Sequence, residues 1–285
     1  MENTIEQHIS DPKKFDKIAH ELVNGGPDRL HIIADFDRTL TRAFVDGTPT
    51  PSITAILRDH GYLTPDYPAR AKALYAHYGK IEKDPNFPAS QKKALMEEWW
   101  TKHFELFKEC GLHKRDIEKA MVSGVVRFRD GIPEFLKKIQ NAGIPLVIMS
   151  ASGLGGEAIR QFFSHENSLS ENIHIIGNEF VWDEKGHAVD IKKPIITGLN
   201  KDETMLQDFP AHDRIKDRTN VILLGDSLGD TGMIEGFPYK NLLKIGFLNE
   251  NVKEALPHYR RHYDAVVTGD GSFELINSIL TKILG

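Results

Sequence analysis

The run Leu30-His31-Ile32-Ile33-Ala34-Asp35-Phe36-Asp37-Arg38-Thr39-Leu40-Thr41 constrains the fold of this chain more than any other stretch. A short apolar segment leads straight into two carboxylates two residues apart. Such a segment fits a parallel strand buried on both faces, whose acids emerge at the C-terminal end, where open α/β sheets bind ligands. Two acids so close repel each other unless a cation or a proton lies between them. The competing explanation is a capping or turn role for the pair. Against it stands a second acidic strand end: Val221-Ile222-Leu223-Leu224 runs into Gly225-Asp226, with Asp230 four residues on.

The rest of the chain supplies the context those strands need. Ser10-Asp11-Pro12 opens a helix with Phe15, Ile18, Ala19, Leu22 and Val23 on one face, and Gly25-Gly26-Pro27 stops it. From 49 to 123 the pattern changes to successive helical signals without a clear strand. Ser52 caps one helix, a second spans 68–78 and ends at Gly79, a third spans 90–110, and a fourth carries Ile117, Ala120 and Met121. After Gly124 strands and helices alternate. The strand signals fall at 145–149, 173–176, 221–224, 242–247 and 265–267, with a hairpin over 180–189 turning at 184–186. This rhythm predicts an α/β fold with a doubly wound, mainly parallel sheet. Residues 1–48 and 124–285 are expected to form the core domain, and 49–123 an inserted helical cap.

Composition narrows the function. A net charge of −5 gives no general nucleic-acid footprint, so a site that handles phosphate must find its cations locally. The single cysteine, Cys110, excludes an intrachain disulfide and suits a reducing compartment. No apolar run approaches the roughly 20 residues of a membrane span. The first residues lack the basic and apolar regions of a signal peptide. The expectation is a cytoplasmic monomer acting on a small molecule, without nucleic-acid or membrane partners.

If the acidic strands lie side by side with the strand ending at Ser150, then Asp35, Asp37, Ser150, Asp226 and Asp230 meet at one edge of the sheet. Several carboxylates without a dominant base suggest a hard divalent cation, and Mg²⁺ fits oxygen donors and a substrate phosphate. An Asp beside such an ion can attack phosphorus, and a second acid two residues on can protonate the leaving oxygen and then activate water.

These motifs, Asp35-Phe36-Asp37-Arg38-Thr39-Leu40-Thr41, Ser150 and Gly225-Asp226-Ser227-Leu228-Gly229-Asp230, resemble those of the haloacid-dehalogenase-like (HAD) phosphohydrolases with their Rossmann-type core. Met96-Glu97-Glu98-Trp99-Trp100-Thr101-Lys102, Asn200-Lys201-Asp202 and Leu243-Lys244-Ile245-Gly246-Phe247-Leu248-Asn249 are similar to the pyrimidine 5′-nucleotidase family, the cytosolic type III enzymes. The resemblance implies that Asp35 is the nucleophile and Asp37 the general acid and base. It implies Mg²⁺ held by Asp35, Asp226 and the Asp37 carbonyl with Asp230 in support. Ser150, the Ala151 amide and Lys201 would bind phosphate, and Glu98 would read the nucleoside. The implied reaction is Mg²⁺-dependent hydrolysis of CMP and UMP through an aspartyl-phosphate, with phosphotransfer to nucleosides as a side activity. A 7-methylguanosine monophosphate nucleotidase, or a phosphatase for a small non-nucleotide phosphate, is the alternative. Ser152 and Ala43-Phe44 depart from the family pattern near the expected substrate pocket, which leaves base preference open.

Several features have plainer explanations. Lys201 and Glu98 could be solvated surface groups, Ser150 a helix cap, and at least one of Trp99 and Trp100 is expected to serve packing. Gly153-Leu154-Gly155-Gly156 lacks the spacing of a phosphate loop. Gly225-Asp226-Ser227-Leu228 spells a lipase motif, yet the later His258 and His262 lack an Asp three residues before them. A phospho-accepting signalling protein is disfavoured by Asp37 and the helical insert.

Overall fold

The computed structural model describes residues 5–84, 87–201 and 211–285; Asp202 of the Lys201 motif lies outside them. The strands are β1 (Gln7–Ile9), β2 (Leu30–Ala34), β3 (Phe44–Val45), β4 (Thr48–Pro49), β5 (Leu146–Met149), β6 (Ile173–Ile176), β7 (Phe180–Trp182), β8 (Ala188–Ile191), β9 (Asn220–Gly225), β10 (Asn241–Leu248) and β11 (Ala265–Thr268). The helices are α1 (Pro12–Gly25), α2 (Ile53–Asp59), α3 (Tyr67–Lys83), α4 (Ala89–Glu109), α5 (Lys114–Met121), α6 (Ile132–Asn141), α7 (Gly155–His165), α8 (Ala211–Ile215), α9 (Val252–His262) and α10 (Glu274–Leu284).

Seven strands form one sheet in the order β1-β11-β10-β9-β2-β5-β6, parallel except for β1. The acidic strand β2 therefore sits between β9 and β5, and every residue of all three is buried. Alternation along the strands divides the core. Ile32, Ala34, Ile148, Ile222 and Leu224 face a cluster shared with α1, α6, α7 and α10. Ile33, Val147, Val221 and Leu223 face the opposite layer, which includes Ile215 and, at its margin, the α9 residues Val252, Ala255 and Leu256. Covering both faces is what allows near-continuous apolar strands to stay out of water.

Local signals account for the element ends. The Asp11 side chain accepts from the Lys14 amide at 3.1 Å, Pro12 occupies the first turn of α1, and Gly26 at φ +67° terminates it. The 180–189 hairpin forms as β7 and β8. Three local features differ from the sequence expectation. Helix α3 runs through Gly79 to Lys83; glycine weakens a helix by about 1 kcal/mol, and here the Tyr75 ring covers the position Gly79 leaves open. Strand β1 is too short for a periodic signal, and its pairing with β11 is what defines it. The β3–β4 hairpin turns at Asp46 and Gly47, both at positive φ, a sequence pair typical of such tight turns.

Between β4 and α6 the chain is helical. Much of α2 to α5 joins the same apolar cluster as the sheet, through Ile53, Ile56, Phe104, Phe107, Ile117 and Ala120. Tyr78, Met96 and Trp99 form a small cluster of their own on α3 and α4. No helix among the described residues is long and apolar enough to cross a membrane.

The glycines that open α7 serve close packing. Gly155 has φ +56°, and a Cβ there would fall 1.4 Å from the Asn178 carbonyl oxygen. The Gly156 amide donates to that same oxygen at 3.1 Å. Gly155→Ala is therefore expected to destabilise by about 3 kcal/mol or more in chemical denaturation. Gly143→Ala, also at positive φ but with open space around it, should lose only about 1–2 kcal/mol.

Candidate active site

The three central strands end together, and their next residues converge. The Asp35 amide donates to the Leu224 carbonyl at 3.0 Å, so the β2–β9 pairing extends to the first acid. Just past β9 the chain folds back on itself. Asp230 Oδ2 accepts from the amides of Asp226 (3.1 Å) and Ser227 (2.9 Å) and from the Ser227 hydroxyl (2.9 Å). Glycine at 225 makes this possible, since a Cβ would lie 2.4 Å from that of Asp230. From below, the Tyr259 hydroxyl donates to the Asp226 carbonyl at 2.5 Å, and Tyr263 donates to the Ser227 carbonyl.

Lys201 enters this acidic cluster from the loop after β8. Its Nζ donates to Asp35 and, at 3.0 Å, to Asp230 Oδ1, and all three side chains are buried. That loop is itself fixed: the Asn178 side chain donates to the carbonyls of Ser152 (3.2 Å) and Ile196 (2.9 Å) and accepts from the Ile196 amide (2.8 Å). The lysine loop and the segment after β5 are thereby tied to one side chain. Ser150, buried, accepts from the Ser152 amide at 3.1 Å, so its hydroxyl also stabilises the turn it begins.

Electrostatics shows the cost of gathering these acids. Burial pushes Asp35 up from 3.8 to about 7, with Asp230 and Asp37 adding to the rise and Lys201 opposing it. Burial raises Asp37 to about 6, against the pull of Lys201 and Arg38. Asp226 is also driven well up, by burial and then by Asp35 and Asp230. For Lys201, burial favours the neutral amine, but Asp35 and Asp230 outweigh it and hold the ammonium charged. One lysine cannot balance this many carboxylates. Oxygens of Asp35, Asp226 and Asp230 lie within 4.8 Å of one another. An octahedral ion with bonds of 2.0–2.1 Å sets its ligand oxygens about 3–4 Å apart, so the hard donor set fits a divalent cation such as Mg²⁺. Asp230 already uses both oxygens, which leaves Asp35 and Asp226 the more available ligands.

A cavity of about 440 Å³ opens over this cluster, lined there by Asp35, Asp37, Ser150, Ala151, Lys201, Asp226 and Asp230. This volume suits a ligand of nucleotide size. Its far wall comes from the helical segment: Tyr67, Tyr75 and Glu82 of α3, and Trp99, Trp100 and His103 of α4. The two indoles stack, with centroids 5.8 Å apart and planes 13° from parallel. Trp100 lies directly on Gly153, where a Cβ would come within 2.2 Å of its ring. Both tryptophans thus pack and line the cavity at once. Burial lowers His103 to about 4, so it stays neutral, with Nε2 3.0 Å from the Tyr67 hydroxyl.

Of the eight residues singled out in the sequence, seven line the cavity and Glu98 does not. On α4 the inward face is set by Trp99, Trp100 and His103, and Glu98 sits about 100° around the helix from Trp99. Glu98 is half exposed and accepts from Tyr78 (2.9 Å) and Lys102 (2.6 Å) on the outer surface. The acid that α3 and α4 present to the cavity is Glu82. Glu82 stands near the end of α3, four residues beyond Tyr78; the expected helix stop at Gly79 hid it from a periodicity argument.

A model of the family described as pyrimidine 5′-nucleotidase (UMPH-1) matches residues 38–284. The chain belongs to the pyrimidine 5′-nucleotidase family. It is 33% identical over 277 residues to a 7-methylguanosine phosphate-specific 5′-nucleotidase of Gallus gallus, covering 97% of this chain and 95% of that one. The Homo sapiens protein of that name is 34% identical over 274 residues, covering 96% and 91%. Among solved structures, cytosolic 5′-nucleotidase IIIB bound to cytidine superposes with a TM-score of 0.89 at 30% identity, covering 97% of this chain and 93% of that one. A phosphoserine phosphatase captured as a phospho-aspartyl intermediate analogue shares the fold at 19% identity, with a TM-score of 0.52 over 88% and 97%. As a pyrimidine 5′-nucleotidase family member, the chain is a phosphoric monoester hydrolase of the 5′-nucleotidase class with the HAD-like fold.

The raised carboxyls make a linked prediction for this family member. Asp35 binds its proton more tightly folded (about 7) than unfolded (3.8), so its contribution to stability is greatest below pH 4 and is lost as pH rises through 7. In EDTA, the stability of wild type relative to Asp35→Asn should fall between pH 5 and pH 8, a difference that removes the titration of groups remote from the site and reports Asp35 together with the acids its charge acts on. Millimolar Mg²⁺ at pH 8 should raise the wild-type Tm by several degrees and that of Asp35→Asn much less. Thermal denaturation at the two pH values, with and without the metal, checks both.

Proposed function

We propose that this protein is a Mg²⁺-dependent 5′-nucleotidase in which residues 49–123 form a cap over a HAD-type catalytic centre. The observation that carries this reading is the two-part cavity: carboxylates and one buried lysine at the sheet end, aromatic rings and Glu82 opposite. Asp35 attacks phosphorus while the bond to O5′ breaks, and Asp37, protonated, delivers its proton to O5′. Nucleoside leaves and the phosphoryl group stays on Asp35. Asp37, now ionised, takes a proton from water as that water attacks phosphorus, releasing inorganic phosphate and restoring both carboxyls. Asp37 at about 6 is suited to both halves, since it can hold a proton and give it up near neutral pH. Lys201, the Ser150 hydroxyl and the Ala151 amide hold the phosphoryl oxygens. Asp35, Asp226 and the Asp37 carbonyl would hold Mg²⁺, supported by Asp230, and the ion supplies charge neutralisation at the phosphoryl oxygens.

For the base we favour N7-methylguanine. That ring carries a positive charge, and the distal half of the cavity offers the stacked indoles of Trp99 and Trp100, the Glu82 carboxylate and a neutral His103. Arg58, the cation present there, is engaged in two bonds to Asp59 (2.8 and 2.7 Å). A cation over an indole contributes about 0.5–2 kcal/mol, which is roughly 2- to 30-fold in kcat/KM. Two close relatives carry this specificity in their names. A second reading, CMP, is favoured by the cytidine in the cytosolic 5′-nucleotidase IIIB structure and by the family's name.

Phosphate release from 7-methyl-GMP, GMP, CMP, UMP, AMP and phosphoserine, with Mg²⁺ and with EDTA, tests the reading. The expected result is metal-dependent turnover of 7-methyl-GMP about 2- to 30-fold better than GMP, with CMP next. Trp100→Leu should erase most of that preference, and Glu98→Gln should leave it intact. Asp37→Asn should lower nucleotide turnover by about 10²–10⁴, and Asp35→Asn should abolish it. Equal rates on phosphoserine and nucleotides would remove the nucleoside from the reading.

A further inference from the structure

Arg129 is an arginine of unusual placement. It lies in the connection between α5 and α6, outside the cavity lining, and is only 1% exposed. Its guanidinium donates to the carbonyls of Arg38, Thr39 (2.9 Å) and Gly271 (2.8 Å) and to Asn249 Oδ1 (3.0 Å). It pairs with Asp270 at 3.0 Å and lies 4.4 Å from the centre of the Phe247 ring. The Arg129 amide donates to the Leu40 carbonyl at 3.0 Å, so backbone and side chain grip the same turn. Asn249 adds a second donor to the Arg38 carbonyl, at 3.1 Å. Asp270 accepts from the amides of Ala43 (2.8 Å) and Phe44 (3.2 Å), securing the far end of the turn.

That turn begins immediately after Asp37. Arg38 has φ +60°, a left-handed conformation that non-glycine residues seldom adopt. Something must hold it, and the Arg38 carbonyl is held by two buried donors. We propose that Arg129, with Asn249 and Asp270, is the positioning device that sets where Asp37 stands relative to Asp35 and to the leaving oxygen. The inference rests on the reading of Asp37 as general acid and base. Proton delivery demands a placement good to a fraction of an ångström, and a residue on a turn needs outside support to reach it. A flat, forked guanidinium can satisfy carbonyls on several sides at once, whereas a lysine ammonium has three donors on a flexible stem.

The test separates steps that need a leaving-group proton from those that do not. Release of a nucleoside alkoxide needs Asp37 as acid; release of p-nitrophenolate does not. Wild type, Arg129→Lys, Asn249→Ala and Asp37→Ala are compared by rapid quench and steady state on 7-methyl-GMP (or CMP) and on p-nitrophenyl phosphate, all with Mg²⁺. For Arg129→Lys, kcat on the nucleotide is expected to fall about 100-fold with KM within about threefold, while the first-turnover burst of p-nitrophenolate stays within about threefold. Asn249→Ala should show the same pattern at about tenfold, and it carries the test if Arg129→Lys does not fold. Asp37→Ala supplies the reference pattern. Equal loss on both substrates, a change confined to KM, or unchanged kinetics with a lower Tm would overturn the proposal. Wild type that releases p-nitrophenolate but attacks no nucleotide would instead defeat the nucleotidase reading. The positioning claim is then decided by the same comparison with β-glycerophosphate as the alkyl substrate.

Discussion

The buried contact of Lys201 with Asp35 and Asp230 is the interaction on which the rest of this structure depends. Carboxylates delivered by two adjacent strand ends repel one another, and burial makes the repulsion stronger. One ammonium placed between two of them lowers that repulsion enough for the site to exist, yet leaves it rich in negative charge. The surplus is functionally useful, because it favours a divalent cation and, through it, a phosphate. The surrounding fold is then largely a means of holding acids where they would not otherwise gather. The β2–β9 pairing extends to Asp35, Asp230 folds back over Gly225, and Tyr259 and Tyr263 anchor the Asp226-Ser227 backbone.

The two halves of the cavity are built by different physics. The sheet end is polar, fixed by backbone hydrogen bonds and side chains with several partners each. The opposite wall is aromatic, and it is joined to the sheet end where Trp100 rests on Gly153, three residues after Ser150. The turn proposed to hold phosphate and the ring that would face a base are therefore in direct contact. Among the described residues, most of the buried side chains of the helical segment share the main apolar core, while Tyr78, Met96 and Trp99, with Ile81 and Leu95 against them, pack apart from it. The tip of α3 and the first half of α4 are thus the parts least committed to the sheet.

Strand ends carried most of what the sequence could tell. An apolar run ending in Asp35 or Asp226 points to the carboxyl edge of a parallel sheet in an α/β fold, whereas the adjacency of β2, β5 and β9, only a condition in the sequence reading, is set by the strand order of the sheet. Lys201 was visible only through a resemblance, because a lone lysine in a loop has no pattern. Glu98 and Glu82 show the limit at the helical wall. Facing on a helix turns by 100° per residue, so an acid beside two tryptophans is as easily outside as inside. Gly79 signalled a helix end that packing against α4 overrode, and that concealed Glu82. Arg129 gave no signal, since its partners are backbone carbonyls and residues more than 80 positions away in the chain, such as Arg38 and Asn249.

The most direct test of the account is to identify the atom that receives the phosphoryl group. Enzyme with Mg²⁺ and nucleotide is quenched in acid during turnover, digested, and the phosphorylated peptide located by mass spectrometry. The label is expected on Asp35, and none in Asp35→Asn. A phosphoryl group on another residue, or rapid turnover with no phosphoenzyme and water entering phosphate directly, would contradict it.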